Sequence, residues 1–177
     1  NYVMIISTSA GLWAYNIGDT IAFTNTSPYR VTVTGRIKHY ISASGEHVIG
    51  KEVEEAIKAA SNELDIIINE FTVAPQLNPA DSALPYHEWF VEFGHHPDLD
   101  LQQLSQVLDL QMRKQNAYYD DLITGKILQP LKITPVPTNG FKEYMKTIGK
   151  LGGQNKLPRL SNDRKMADIM EKIILES

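Results

Sequence analysis

The sequence predicts an α+β fold, a small β unit followed by a split βαβ, ferredoxin-like sheet with helices on one face. Three observations predict it. The first third is rich in β-branched and aromatic residues between turn signals, a helical period sets in at Gly50, and the order helix, strand, strand, helix, strand then runs to Val136.

Four strands are expected first, Tyr2 to Thr8, Leu12 to Tyr15, Thr20 to Asn25 and Tyr29 to Gly35. In the last, Val31 and Val33 alternate with Thr32 and Thr34, as in a strand with one buried face. A strand near Lys38 to Ser42 precedes the period change. Val53, Ile57, Ala60 and Leu64 then share a helical face behind a charged Lys51-Glu52 first turn. Strands over Ile66 to Val73 and Glu88 to Phe93 follow, separated by a loop containing Pro75, Pro79 and Pro85. Leu101, Leu104, Leu108 and Met112 mark a helix capped near Asp98 or Asp100 and running to about Tyr119. Leu131 to Val136 is a further strand. A short helix near Phe141 to Ile148, a glycine-rich loop and a last helix with Met166, Ile169, Met170 and Ile173 on one side complete the chain.

The bulk properties narrow the function classes. The 177 residues carry 17 Lys+Arg against 21 Asp+Glu, a net charge of −4, which offers no broad basic surface for nucleic acid. Apolar residues, 42% of the chain, never approach the roughly 18 in a row of a membrane span. Without cysteine there is neither a disulfide framework nor a thiolate zinc site, and a cytoplasmic setting is the simplest expectation. The opening Asn1-Tyr2-Val3-Met4-Ile5-Ile6 has no initiator Met and no basic leader, so the chain is expected to be a piece of a longer protein.

Three segments are candidates for chemistry. Tyr15-Asn16-Ile17-Gly18-Asp19 ends a predicted strand. Gly18-Asp19 can be a plain turn, or its carboxylate can accept both hydroxyls of a ribose. The second segment is Gly35-Arg36-Ile37-Lys38-His39 followed by Gly45-Glu46-His47-Val48-Ile49-Gly50-Lys51-Glu52-Val53-Glu54, which a β turn and an ordinary helix start would explain piecewise. The third runs from Gly149-Lys150 through Gly152-Gly153-Gln154-Asn155-Lys156 to Pro158-Arg159. It is either a solvated linker or a flexible loop whose lysine neutralises charge developing on a phosphoryl group. It lacks the Gly-Lys-[Ser/Thr] ending of a Walker loop.

Together and in this order, the segments resemble the auxin-responsive acyl acid amido synthetases, the Gretchen Hagen family, and their bacterial relatives, over essentially the whole chain. The most specific elements are Tyr-x-Ile-Gly-Asp at Tyr15 to Asp19, Phe23-Thr-Asn with the following Gly35-Arg36, and Gln154-Asn-Lys-x-Pro-Arg159. The resemblance implies the carboxy-terminal domain of an adenylate-forming ligase. Such an enzyme activates a small carboxylic acid with ATP, as its Mg2+ complex, and then joins it to an amino acid. By the same resemblance Asp19 holds the ribose, and Tyr15, Arg36 and His47 contact the nucleotide. His47 stands where plant members tend to carry a lysine. Lys156 is the implied catalytic lysine, with Lys150 as the alternative, and Arg36 and Lys38 lie at the hinge between two working conformations. Residues 1–35 would complete or adjoin a large amino-terminal domain absent from this sequence, and 36–177 would form the mobile domain. Alone, the fragment is expected to be inactive. The competing reading is a non-catalytic α+β module that binds a ligand or protein.

Other groups carry less. His95-His96-Pro97-Asp98 offers possible metal ligands, but adjacent histidines diverge on most backbones. Tyr86, Trp89, Phe90 and Phe93 could stack bases, yet alternation places Trp89, Val91 and Phe93 on one face, as in a packed core. Tyr118-Tyr119-Asp120-Asp121 is expected to be a solvated turn at a helix end.

Overall fold

The structure, a computed structural model, describes residues 2–36, 40–80, 83–94, 100–152 and 155–176. Its architecture is α+β, with three small sheets and five helices among these residues. The first sheet is antiparallel in the order β1 (Tyr2–Ile6), β2 (Tyr15–Thr26), β3 (Tyr29–Arg36). The strand expected over Leu12 to Tyr15 does not form separately. Residues 12–14 close a loop in which the Thr8 amide bonds the Leu12 carbonyl at 2.9 Å and the Ala14 amide bonds Ser7 Oγ at 3.0 Å.

The Tyr15–Asp19 segment is therefore not the end of a strand but the start of a long one. Val3 pairs with Thr20 and Ile5 with Asn16, so β2 bulges between these pairs. Gly18 accommodates the bulge at φ +81°, and its amide is held by Asn16 Oδ1 at 2.8 Å. The turn signal is satisfied without reversing the chain.

A short hairpin follows, β4 (Tyr40–Ile41) with β5 (Val48–Ile49), and β5 runs straight into α1 (Gly50–Glu63). The expected strand over Lys38 to Ser42 is thus brief, and it pairs with β5 rather than with the main sheet; Lys38 lies outside the described residues. Burial fastens the hairpin loop to the core. Glu46 is fully buried, receives the Ser44 amide at 2.8 Å, and meets the buried His87 Nε2 at 2.9 Å.

The main sheet has the order β6 (Ile68–Gln76), β7 (Tyr86–Phe93), β8 (Lys132–Val136). Its first pair is antiparallel and its second parallel. A parallel pair needs a crossover, supplied by α2 (Leu101–Gln115) and α3 (Ala117–Thr124). Strand alternation then buries both faces. Phe71, Val73, Trp89 and Val91 pack with α1 and α2 through Val53, Ile57, Leu104 and Leu108. Ala74, Phe90 and Val136 pack on the other side with α4 (Gly140–Thr147) and α5 (Lys165–Leu175) through Phe141, Met166 and Met170. The expected helical layer is present, and a second covers the opposite face.

Two boundaries differ from expectation. β6 runs on through Pro75, which the sequence assigned to a loop. The Val73 amide points to the outer edge, toward the Arg159 carbonyl at 3.0 Å. Pro75, two residues on, turns its missing N–H to the same side and leaves the pairing with β7 intact. The helix expected to reach Tyr119 breaks at Asn116, whose extended backbone (φ −135°, ψ 107°) ends α2 and caps α3 by accepting the Tyr119 amide at 2.8 Å. Tyr119 is consequently no solvated turn residue. It is fully buried and donates its hydroxyl to Asp109 at 2.6 Å. The start of α2 is capped by Asp100, which accepts the Gln102 and Gln103 amides at 2.9 and 3.1 Å; Asp98 lies outside the described residues. Among the described residues no helix is long and apolar enough to cross a membrane.

Candidate functional site

Three chain segments far apart in sequence converge on one cleft of about 770 Å3. The β2–β3 hairpin contributes Asp19 and Gly35, the start of α1 contributes Lys51 and Glu54, and residues 155–159 contribute Lys156 and Arg159. Each wall has a local cause. Between β2 and β3 the register shifts at Thr20–Ile21, where β3 carries the extra residue Thr34, and beyond this shift Asp19 pairs across the strands with Arg36. Beside them, Thr34 Oγ1 donates to Thr20 Oγ1 at 3.1 Å and ties β3 to β2. The start of α1 is fixed by Glu52, whose Oε2 accepts both the Ile49 amide and Asn116 Nδ2 at 3.0 Å. Burial holds the Glu52 carboxyl above the usual range, despite these hydrogen bonds.

The third wall is anchored by Arg159. Its guanidinium pairs with Glu70, lies 3.5 Å from Glu54, donates to the Phe71 carbonyl at 3.2 Å and stacks over the Phe71 ring at 4.6 Å. On its backbone, the Arg159 carbonyl accepts the Val73 amide and the Ser161 amide donates back to Val73 at 2.9 Å, so residues 159–161 extend the main sheet by one edge. Thr72 Oγ1 adds a bond to the Pro158 carbonyl at 2.8 Å. The chain is thus fixed to the sheet edge three residues after Lys156. Lys156 itself is exposed, and among the described residues no carboxylate lies within ion-pair distance of it. A cation so placed is available to an anion entering the cleft.

The structure brings some of the predicted residues together and leaves others apart. Asp19 and Lys156 line the cleft, and the Arg36 backbone pairs with Asp19. Lys150 is exposed at the end of α4 and does not line it; its amide bonds the Met145 carbonyl at 2.8 Å. Tyr15 is exposed and paired with Ile6 at the far end of the bulge. His47 is exposed at φ 48° with its ring 6.3 Å from that of Tyr40, away from the cleft. The cation at the helix start that does face the cleft is Lys51, which sequence reasoning read only as part of a charged first turn. It makes an exposed pair with Glu55 at 3.6 Å. Glu54 and the anchoring role of Arg159 also escaped notice, because both depend on the meeting of α1 with the sheet edge. His95, His96 and Asp98 lie outside the described residues, and among the described residues no three side chains are grouped to hold a metal.

Comparison with known proteins bears on the whole arrangement. Residues 51–165 match the GH3 family C-terminal domain, and residues 1–36 match the GH3 family central domain. Among solved structures the chain is similar to one described as GH3.15 acyl acid amido synthetase, with a TM-score of 0.76 at 19% identity, covering 98% of this chain and 34% of that one. It is likewise similar to AtGH3.15 acyl acid amido synthetase in complex with 2,4-DB, with a TM-score of 0.74 at 18% identity, covering 98% and 32%. This chain therefore spans about a third of the length of either structure. No curated protein matches its sequence.

Proposed function

The chain belongs to the GH3 family, and on that footing we propose that it is the carboxy-terminal part of an ATP-dependent acyl acid amido synthetase. The observation that carries this reading is the single cleft in which Asp19, Lys51 and Lys156 converge from three separate segments. A ribose-binding carboxylate and two lysines facing one space suit a nucleotide whose sugar and phosphates must be held at once.

The chemistry has two steps. An oxygen of the substrate carboxylate attacks the α-phosphorus of ATP, the bond to pyrophosphate breaks, and an acyl-adenylate remains. An amino acid amine then attacks the acyl carbon, AMP leaves, and the amine gives up its proton. In this scheme Asp19 accepts the ribose hydroxyls. Lys156 neutralises charge building on the phosphate and acyl oxygens, in a cleft where such compensation is preorganised. Mg2+ arrives complexed to the phosphates, which with water usually supply most of its ligands. Arg36 and Lys38 lie at the junction between the β segment of residues 1–35 and the mobile domain of residues 36–177, and they set its rotation.

The adenine and acyl pockets belong to the amino-terminal domain of the full-length protein, so the isolated chain is expected to make no amide. The test is ATP–pyrophosphate exchange by the full-length protein with a panel of small aromatic and aliphatic acids. Acid-dependent exchange should be present in the wild type and fall at least a hundredfold in Asp19→Ala and Lys156→Ala. Absence of exchange with every acid would return the chain to the class of non-catalytic binding modules.

A further inference from the structure

The backbone around Arg159 is fixed without help from its guanidinium. The Arg159 carbonyl accepts the Val73 amide at 3.0 Å, the Val73 carbonyl accepts the Ser161 amide at 2.9 Å, and the Pro158 carbonyl accepts the Thr72 hydroxyl at 2.8 Å. The side chain gathers acid instead. Its Nε lies 3.5 Å from Glu54 Oε1, its Nη1 pairs with Glu70 Oε1 and donates to the Phe71 carbonyl at 3.2 Å, and its head sits over the Phe71 ring. One cation therefore holds carboxylates from two elements, α1 and β6, as the fixed fork of a guanidinium allows and a compact ammonium does not. Lys156 shares this neighbourhood without joining it. Glu54, Lys156 and Arg159 line both the first cleft and a second one of about 630 Å3 beside it, and Glu70 lines the second. Yet among the described residues no carboxylate is within ion-pair distance of Lys156, which is exposed. The Glu54 and Glu70 side chains are 58% and 32% exposed, which leaves each room to turn toward that lysine once its own partner is gone.

We propose that Arg159 is a positioning residue for Lys156: by holding Glu54 and Glu70 it keeps both carboxylates from pairing with that lysine, which stays free for the anion entering the cleft. The inference rests on the amido synthetase reading and goes beyond it, since it gives Arg159 a task in adenylation. A lysine captured by a carboxylate is partly neutralised and is drawn away from the phosphate and acyl oxygens. Without the guanidinium, two unpaired carboxylates would also stand beside a polyanionic nucleotide and repel it. Each of these partly exposed pairs is worth little to the fold, and the backbone bonds remain when Arg159 is replaced. The placement of a reacting group is far more sensitive than stability to a change of this size.

The experiment uses the full-length protein as wild type, Arg159→Gln, Arg159→Lys and the triple variant Glu54→Gln/Glu70→Gln/Arg159→Gln. Two quantities are read. One is acid-dependent ATP–pyrophosphate exchange; the other is the rate at which acetic anhydride labels Lys156 relative to the exposed Lys126, followed by mass spectrometry of the digested protein. Arg159→Gln should lose exchange at least about tenfold and slow Lys156 labelling at least about threefold, because a paired ammonium gives up its proton less readily. The triple variant has neither carboxylate left to capture the lysine. It should label like the wild type and exchange at least about fivefold faster than Arg159→Gln, whereas a purely structural arginine predicts no recovery when its partners are removed as well. Arg159→Lys keeps the charge but not the fork, and should fall between the wild type and Arg159→Gln. Unchanged Lys156 labelling in Arg159→Gln, or a triple variant no more active than Arg159→Gln, overturns the inference alone. An Arg159→Gln protein that circular dichroism shows to be unfolded makes the arginine structural and overturns it too. A wild type without acid-dependent exchange defeats the amido synthetase reading, and this inference with it.

Discussion

Replacing His87 by leucine should destabilise the protein strongly, although His87 does not line the cleft that holds Asp19 and Lys156. Glu46 and His87 side chains are 0% and 2% exposed, and their 2.9 Å contact is the link between the β4–β5 hairpin loop and the main sheet. With His87→Leu, the Glu46 carboxylate stays buried and keeps only backbone partners such as the Ser44 amide. Breaking a buried pair by removing one partner costs about 3–5 kcal/mol, against a total stability on the order of 5–15 kcal/mol for a folded domain. At a urea slope of about 2 kcal/mol per M, the unfolding midpoint should fall by about 2 M. The double variant Glu46→Met/His87→Leu removes both polar groups and should regain at least about 2 kcal/mol over the single one.

The pH dependence has a defined sign. Burial pushes the Glu46 carboxyl up, but the His87 hydrogen bond, the backbone amides and the attraction to His87 together hold it below its ordinary value. A depressed folded value adds stability above the ordinary pKa of 4.5, which is lost as pH falls through the folded value. The wild type's advantage over the double variant should therefore narrow below about pH 4.5. A loss under about 1 kcal/mol in His87→Leu, or a double variant no more stable than the single one, would refute the reasoning.

Two further substitutions test the joints of the fold. Asn116→Ala removes the cap on α3 and the bond to Glu52, and should lower stability by about 1–2 kcal/mol in thermal unfolding followed by circular dichroism; an unchanged Tm would show that the cap is not what divides α2 from α3. Gly140→Ala places a Cβ 2.5 Å from Val136 Cγ1 at the start of α4, and should cost about 1–3 kcal/mol in urea unfolding. Adding Val136→Ala should relieve the overlap, and a pair of purely additive losses would count against the steric account.

Much of the fold was legible because periodicity is a local property. The faces Val53-Ile57-Ala60 and Leu104-Leu108-Met112 are buried as their spacing requires, and so is the alternating Trp89-Val91 pair. The misreadings share a cause. Pro75 stays in a strand because its missing N–H faces the outer side, away from β7, and Gly18 bulges instead of turning because β1 lies across from it. Asn116 breaks a helix with no glycine or proline to announce it. Its side chain has partners on α1 and in the first turn of α3 that exist only once the helices pack.

The same division holds for the site. The sequence by itself determined which residue types were present and in what order: a Gly-Asp on a strand, a Gly-Arg before a helix, and a lysine in a loop ending in Pro-Arg. Those motifs are short, and each is read within a few residues of itself. Only the tertiary structure decided which of them share a space. Asp19 and Lys156 face one cleft, whereas Lys150, Tyr15 and His47 do not line it. Lys51 joins them because β5 passes directly into α1. A cleft is made by elements distant in sequence, and its lining is fixed by how helices and strands dock, which local spacing does not encode.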